Sequence, residues 1–217
     1  METEQKKHWN KVYQTKQPNE VSWTQPKPET SLDFINRLSI SKSSPIIDIG
    51  GGDSTLVDFL LAEGYENISV LDISEHALER AKLRLGKQAD KVTWIVSDIT
   101  TFIPPQKYMI WHDRATFHFL TTGEQVNNYL KIARAAVTSY LIIGTFSEQG
   151  PDKCSGLEIK KYSEDQLNRQ FMNGFEKIKC VNTDHITPFN TQQNFTFCSF
   201  KKLNNNHLCI NTNRLII

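Results

Sequence analysis

The run Ile46-Ile47-Asp48-Ile49-Gly50-Gly51-Gly52-Asp53-Ser54-Thr55 constrains the fold more than any other stretch of the chain. A β-branched strand ends in an acid and three glycines, and a helical pattern opens at once. Twenty-four residues after Asp48 a second strand, Ile68-Ser69-Val70-Leu71, ends in another acid, Asp72. Glycine lets a strand-to-helix turn approach a ligand closely and take φ > 0. In an open α/β sheet the ligand belongs at the carboxyl ends of the strands, beside the switch point, which places it against Gly50–Ser54.

The rest of the chain supports such a sheet. Apolar runs rich in Ile and Val recur at 45–49, 68–71, 92–96, 108–111 and 140–145, with helical patterns at 54–62, 74–85 and 123–137 between them. Short apolar strands separated by amphipathic helices predict an α/β, Rossmann-like, doubly wound parallel sheet. Ser74 with Glu75 is a helix start and Gly86 a stop. After residue 145 the pattern changes: Gly150-Pro151-Asp152 breaks the chain, 163–171 reads as a helix, and 175–185 and 194–201 read as strands. No helical pattern separates those two strands, so they should pair antiparallel and close the sheet. This divides the chain into an N-terminal cap segment (1–44), the sheet domain (45–202) and an Asn-rich tail (203–217) expected to be poorly ordered. The cap holds Trp9, Tyr13 and Trp23, with helices expected at 8–13 and 31–38.

Composition narrows the function. At 217 residues the chain suits one α/β domain. Lys and Arg total 25 against 24 Asp and Glu, and no basic block stands out, so no nucleic-acid partner is evident. The first ten residues are polar and no apolar run is long enough to span a membrane, which predicts a cytoplasmic protein without a secretory signal. Cys154, Cys180, Cys198 and Cys209 contain no CxxC pair, so no metal site is expected and the four read as free thiols. The expected state is a monomer or weak dimer.

The strand-end acids indicate the ligand. A carboxylate at Asp48 would repel a pyrophosphate but suits an ammonium or a sulfonium. Asp72 can accept from both ribose hydroxyls, as acids at the end of the second strand do. Asp98, after the third strand, stands where an adenine amino group would lie, between the apolar Ile73 and Ile99. With the turn Gly50, Gly51, Gly52 and Ser54 beneath, and Trp23 of the cap above, the set suits S-adenosylmethionine.

Asp48-Ile49-Gly50-Gly51-Gly52, Asp72 and Asp98 resemble the successive motifs of class I, seven-stranded S-adenosylmethionine-dependent methyltransferases, over roughly residues 9–201. The resemblance implies strand order 3-2-1-4-5-7-6 with the last strand antiparallel. It also implies that Gly50 and Gly52 lie under the methionine part of the cofactor, that Asp72 binds the ribose and that Asp98 reads the adenine. Gly51 occupies the variable position of the family's glycine pattern.

The fourth strand should face the transferable methyl group. There Trp111-His112-Asp113-Arg114-Ala115-Thr116-Phe117-His118 resembles two subgroups. Asp113-Arg114-Ala115 is similar to the Trp-Asp-Arg-(Gly/Ala)-Ala-Leu pattern of thiopurine-type methyltransferases. Asp113 and Thr116 are shared with Asp-Lys-Gly-Thr-Leu-Asp of the seven-stranded protein-lysine methyltransferases, where His118 replaces the second Asp. His118 and His112 are candidates to accept a proton near neutral pH, and His112 also counts among the cofactor contacts. Asp113 completes the catalytic candidates and, with Arg114, should shape the loop. The Gly- and Pro-containing segment 144–157, with Cys154, reads as a loop over the site. Together with Ser22-Trp23, it is similar to a group of small bacterial methyltransferases of undefined substrate.

The expected activity is therefore methyl transfer from S-adenosylmethionine to a small molecule or a protein side chain. Two alternatives stand beside it: a nicotinamide-dependent oxidoreductase and a non-catalytic cofactor binder. Against the first, Gly50-x-Gly52-x-x-Thr55 lacks the third glycine, an acid leads the turn, and no Tyr-x-x-x-Lys pair occurs.

Overall fold

The computed structural model describes residues 3–203. Helix α1 (Glu4–Thr15) and α2 (Glu29–Asn36) precede the sheet. Then β1 (Ile46–Ile49), α3 (Leu56–Ala62), β2 (Ile68–Asp72), α4 (Glu75–Leu85) and β3 (Val92–Val96) alternate, followed by β4 (Tyr108–Arg114), α5 (Gly123–Ala136) and β5 (Val137–Phe146). A two-stranded hairpin of β6 (Lys153–Cys154) and β7 (Leu157–Glu158) leads to α6 (Glu164–Phe171) and the long strands β8 (Phe175–Ile186) and β9 (Gln192–Lys202).

Seven strands form one sheet in the order β3-β2-β1-β4-β5-β9-β8. Strands β1 to β5 run parallel, and β9 enters antiparallel beside β5. This is the predicted 3-2-1-4-5-7-6 arrangement, with the β6–β7 hairpin inserted outside the sheet. β1 lies in the middle and is buried along its whole length, its three isoleucines in the core and Asp48 buried with them. Alternation then divides the core between the two faces. Ile47, Ile49, Trp111 and Leu141 pack against α5 and α6, whereas Ile46, Val70, Ile110 and Ile142 pack against α2, α3 and α4. Ser74 starts α4 as anticipated, its hydroxyl accepting from the Ala77 amide. No helix among the described residues is long and apolar enough to cross a membrane.

Two features differ from the sequence reading. β4 does not stop at residue 111 but pairs on with both neighbours, Asp113 opposite Ile49 and Arg114 opposite Gly144. Asp113 and Arg114 are therefore strand residues, not loop residues. The second correction concerns the thiols. Cys180 and Cys198 form a disulfide, because the β8–β9 register places them directly opposite each other with Cα atoms 4.1 Å apart. A separation of 18 residues gives no hint of that register. Cys154 is free and buried. Cys209, like the tail assigned to 203–217 beyond its first residue, lies outside the described residues.

Candidate active site

The carboxyl ends of β1, β2 and β4 and the segment after β3 converge on a cavity of about 240 Å³. Of the predicted residues, Asp48, Gly50, Gly51, Ser54, Asp72, Ile73, Asp98, Ile99, His112 and Trp23 all line it. The glycine turn is shaped by close approach. Gly50 takes φ +63°, and a Cβ there would stand 1.8 Å from the Thr116 hydroxyl. Gly51, at the position read as variable, is also constrained, though less tightly: its Cβ would meet Val70 Cγ1 at 2.6 Å and Asp48 Oδ2 at 2.7 Å. Gly52 is not in the wall. The Tyr13 hydroxyl covers it, 2.8 Å from where its Cβ would be.

The acids sit in distinct settings. Asp48 is buried, and its Oδ1 lies 2.7 Å from His112 Nδ1 on the neighbouring strand. His112 Nε2 is in turn 2.9 Å from the Ser31 hydroxyl of α2. Asp72 is buried and accepts from the Ser74 amide at 2.8 Å. Burial pushes its carboxyl up to about 7, with Asp53 and Asp48 adding to the shift against the Ser74 and Gly52 amides. Asp98 holds its own turn, Oδ1 accepting from the Thr100 amide and hydroxyl. A carboxylate has acceptor capacity beyond those two bonds.

An aromatic cluster, drawn from the N-terminal cap segment (the leader) and from Phe119 after β4, forms the opposite wall. Trp9 meets Trp23 and Phe119 edge to face, at centroid separations of 5.6 and 5.1 Å. Tyr13 packs beside Trp23. Arg80 of α4 fastens this leader by donating to the Tyr13 and Lys16 carbonyls and pairing with Asp53 at 3.2 Å.

His118 and Asp113 do not line the cavity. Strand alternation turns Asp113 to the α5 side, where it accepts from Tyr129 Oη, at 2.7 Å, and from the Thr116 and Phe117 amides. His118 is buried and stacked on Phe146 at 4.5 Å, with neither ring nitrogen bonded among the described residues. Burial, helped by Arg114, brings its imidazole down to about 3. The same alternation sends Arg114 into the cavity wall beside His112, although its sequence context suggests only a loop-shaping part. Ser31 and Thr116 are further contacts that sequence reasoning misses. Extending β4 by its period-two pattern would find Arg114. Ser31, 81 residues before His112, leaves no local signal. Ala115, between β4 and Thr116, takes φ +68°, a left-handed conformation that costs a side-chain-bearing residue energy. That turn lets the Thr116 hydroxyl fold back to donate to the Ile49 carbonyl over Gly50.

The residues fit an adenosyl sulfonium amino acid: a side-chain-free turn, an acid for each of the ribose and adenine ends, and a carboxylate beneath the turn where a pyrophosphate would be repelled. Residues 46–138 match the family model described as a methyltransferase domain. A mouse eEF1A lysine and N-terminal methyltransferase is 26% identical over 121 residues, covering 54% of this chain and 17% of that protein. The chain thus spans a small part of the length of that relative, and 18% of its bovine counterpart. Among solved structures, a SAM-dependent methyltransferase from Anabaena variabilis superposes with a TM-score of 0.70 at 14% identity, over 92% of this chain and 93% of that one. The 1,6-didemethyltoxoflavin-N1-methyltransferase of Burkholderia thailandensis superposes with a TM-score of 0.69 at 12% identity, over 92% and 88% respectively. The chain shares the seven-stranded fold of these solved methyltransferases.

Proposed function

We propose that this chain transfers the methyl group of S-adenosylmethionine to a small-molecule acceptor whose proton is taken up by the Ser31–His112–Asp48 relay. The bound cofactor supplies a methyl group on a positively charged sulfur, open to in-line attack. The chain's own residues do the rest. Asp72 would accept from the ribose hydroxyls, Asp98 from the adenine amino group between Ile73 and Ile99, and the Gly50–Gly51 turn would hold the methionine portion. Ser54 borders that turn, and Trp23 closes the wall and keeps water from the reacting atoms.

The relay is the observation that carries the reading. Asp48 fixes Nδ1 of His112 as the protonated nitrogen, so Nε2 is free to accept from Ser31. The Ser31 oxygen then accepts a hydrogen bond from an acceptor O–H, N–H or S–H. As the acceptor attacks, its proton passes to Ser31, the Ser31 proton passes to Nε2, and the imidazolium is balanced by Asp48. Alignment supplies much of the remaining rate in a displacement of this kind.

A small acceptor fits an aromatic-walled cavity of this size, and it fits the likeness over nearly full length to a solved methyltransferase with bound 1,6-didemethyltoxoflavin. The protein-methylating relatives are matched over a small share of their length. Calorimetry with S-adenosylhomocysteine and with NADH tests the cofactor assignment. Binding of the former alone is expected, and binding of NADH alone would overturn it. Label from tritiated S-adenosylmethionine should then enter the low-molecular-weight fraction of a cell extract. Label confined to protein would assign a protein acceptor instead.

A further inference from the structure

Of the cationic side chains around the cavity, one has no anionic partner. Arg80 and Arg84 on α4 pair with Asp53 and Asp58. Arg114, in the cavity wall at the end of β4, forms no ion pair among the described residues. Its Nη1 donates to the Trp23 carbonyl at 3.1 Å, and its guanidinium lies 5.0 Å from the centre of the Phe195 ring. Its Nη2 is shut off from water and has no acceptor among the described residues. Asp48, the acid whose field reaches it, is already bonded to His112.

A shielded guanidinium with an unused donor is costly unless an anion arrives to meet it. The position of Arg114 says which molecule brings that anion. The adenosine-facing acids, Asp72 and Asp98, lie on the β2 and β3 side of β1. Arg114 lies on the other side, against Phe195 of β9, and Cys154 of the β6–β7 hairpin lines the cavity with it. That is the side left for the acceptor.

Resting on the methyl-transfer reading above, we propose that Arg114 is the recognition point for a carboxylate on the acceptor, so that the enzyme takes small, partly aromatic carboxylic acids and discriminates against their neutral amides. The carboxylate oxygens take the free Nη2 donor in a charge-assisted bond. The Trp9, Trp23 and Phe119 rings take the apolar part of the molecule. Because Trp23 supplies the carbonyl that holds Nη1, the same contact ties the aromatic wall to the anion site.

The experiment uses the full chain loaded with S-adenosylhomocysteine and matched probes: benzoate, phenylacetate and indole-3-acetate against benzamide, phenylacetamide and indole-3-acetamide. Calorimetry should show at least one acid bound tenfold or more tighter than its amide. In Arg114→Gln that preference should vanish while affinity for S-adenosylhomocysteine stays within about threefold. Equal binding of acids and amides to the unaltered chain overturns the proposal without recourse to any variant. A tenfold loss of S-adenosylhomocysteine affinity in Arg114→Gln also overturns it, assigning the guanidinium to the cofactor's own carboxylate. Failure of the unaltered chain to bind S-adenosylhomocysteine would overturn the methyl-transfer reading instead, and the acid–amide comparison on the cofactor-free chain would still decide the role of Arg114.

Discussion

Nδ1 of His112 lies 2.7 Å from Oδ1 of Asp48, residues that β1 and β4 place directly opposite each other. Two strands deliver this pair and α2 completes it with Ser31. Replacing His112 by Gln preserves much of the shape and removes the proton acceptor. Methyl transfer by His112→Gln is expected to fall by about 100-fold, the usual range for loss of a general base. Affinity for S-adenosylhomocysteine, measured by calorimetry, should stay nearly unchanged. A parallel loss of cofactor binding would make the pair a structural support of the glycine turn.

On the ribose role proposed for Asp72, cofactor binding depends on pH. In the free protein its carboxyl is raised to about 7, and ribose hydroxyls donate to the ionised form. Affinity for S-adenosylhomocysteine should therefore strengthen as pH rises from about 5.5 to about 7 and level off above about 8. Proton release near pH 6.5, read from calorimetry in buffers of different ionisation enthalpy, checks this. Asp72→Asn should abolish the dependence, and Asp72→Ala should weaken binding by about 1–3 kcal/mol.

The same group has the opposite effect on the stability of the free chain. Its protonated form is favoured in the folded state, where the carboxyl titrates at about 7, over the unfolded state, where it titrates near 3.9. Stability from this source is complete below about pH 4 and is lost as pH rises through 7. Asp113, raised to about 6 by burial, acts in the same direction. The urea midpoint of the cofactor-free protein should be higher at pH 5 than at pH 8, and Asp72→Asn should shrink that difference.

Ala115 offers a test of backbone strain. At φ +68° its methyl group opposes the turn that brings Thr116 over Gly50. Ala115→Gly should stabilise the protein by about 1 kcal/mol, visible as a higher urea midpoint with an unchanged slope. A drop in stability would mean that the methyl group contributes more in packing than it costs in conformation.

The Cys180–Cys198 bond closes a loop of 18 residues in sequence separation. Chain-entropy arguments assign such a loop about 3 kcal/mol. Chemical reduction, or Cys180→Ser with Cys198→Ser, should lower unfolding free energy by up to that amount. Cofactor binding should persist, since β8 and β9 lie at the sheet edge away from the adenosine side.

Much of this molecule is legible in its sequence. The parallel character of the sheet follows from alternating strand and helix patterns, its strand order from the family resemblance, and the antiparallel closing pair from the missing helix between residues 186 and 192. The glycine turn and the acids Asp48, Asp72 and Asp98 read directly, since each is local to a strand end. Contact between distant segments is what sequence patterns do not carry. Ser31 beside His112 and Cys180 against Cys198 are products of tertiary register. The fourth strand shows an intermediate case. Its polar residues His112, Asp113 and Arg114 look like loop, and only pairing on both sides keeps them extended. Alternation then separates Arg114 from Asp113, and a supposed loop becomes two opposite faces. His118, attractive as an imidazole near neutral pH, is set apart from the cavity by the turn at Ala115.

A single guanidinium, that of Arg80, holds the Tyr13 and Lys16 carbonyls of the N-terminal segment and the Asp53 carboxylate that follows the three glycines. The aromatic wall and the bend opposite it are thereby fastened to one side chain, so a substitution at Arg80 reaches both sides of the cavity at once.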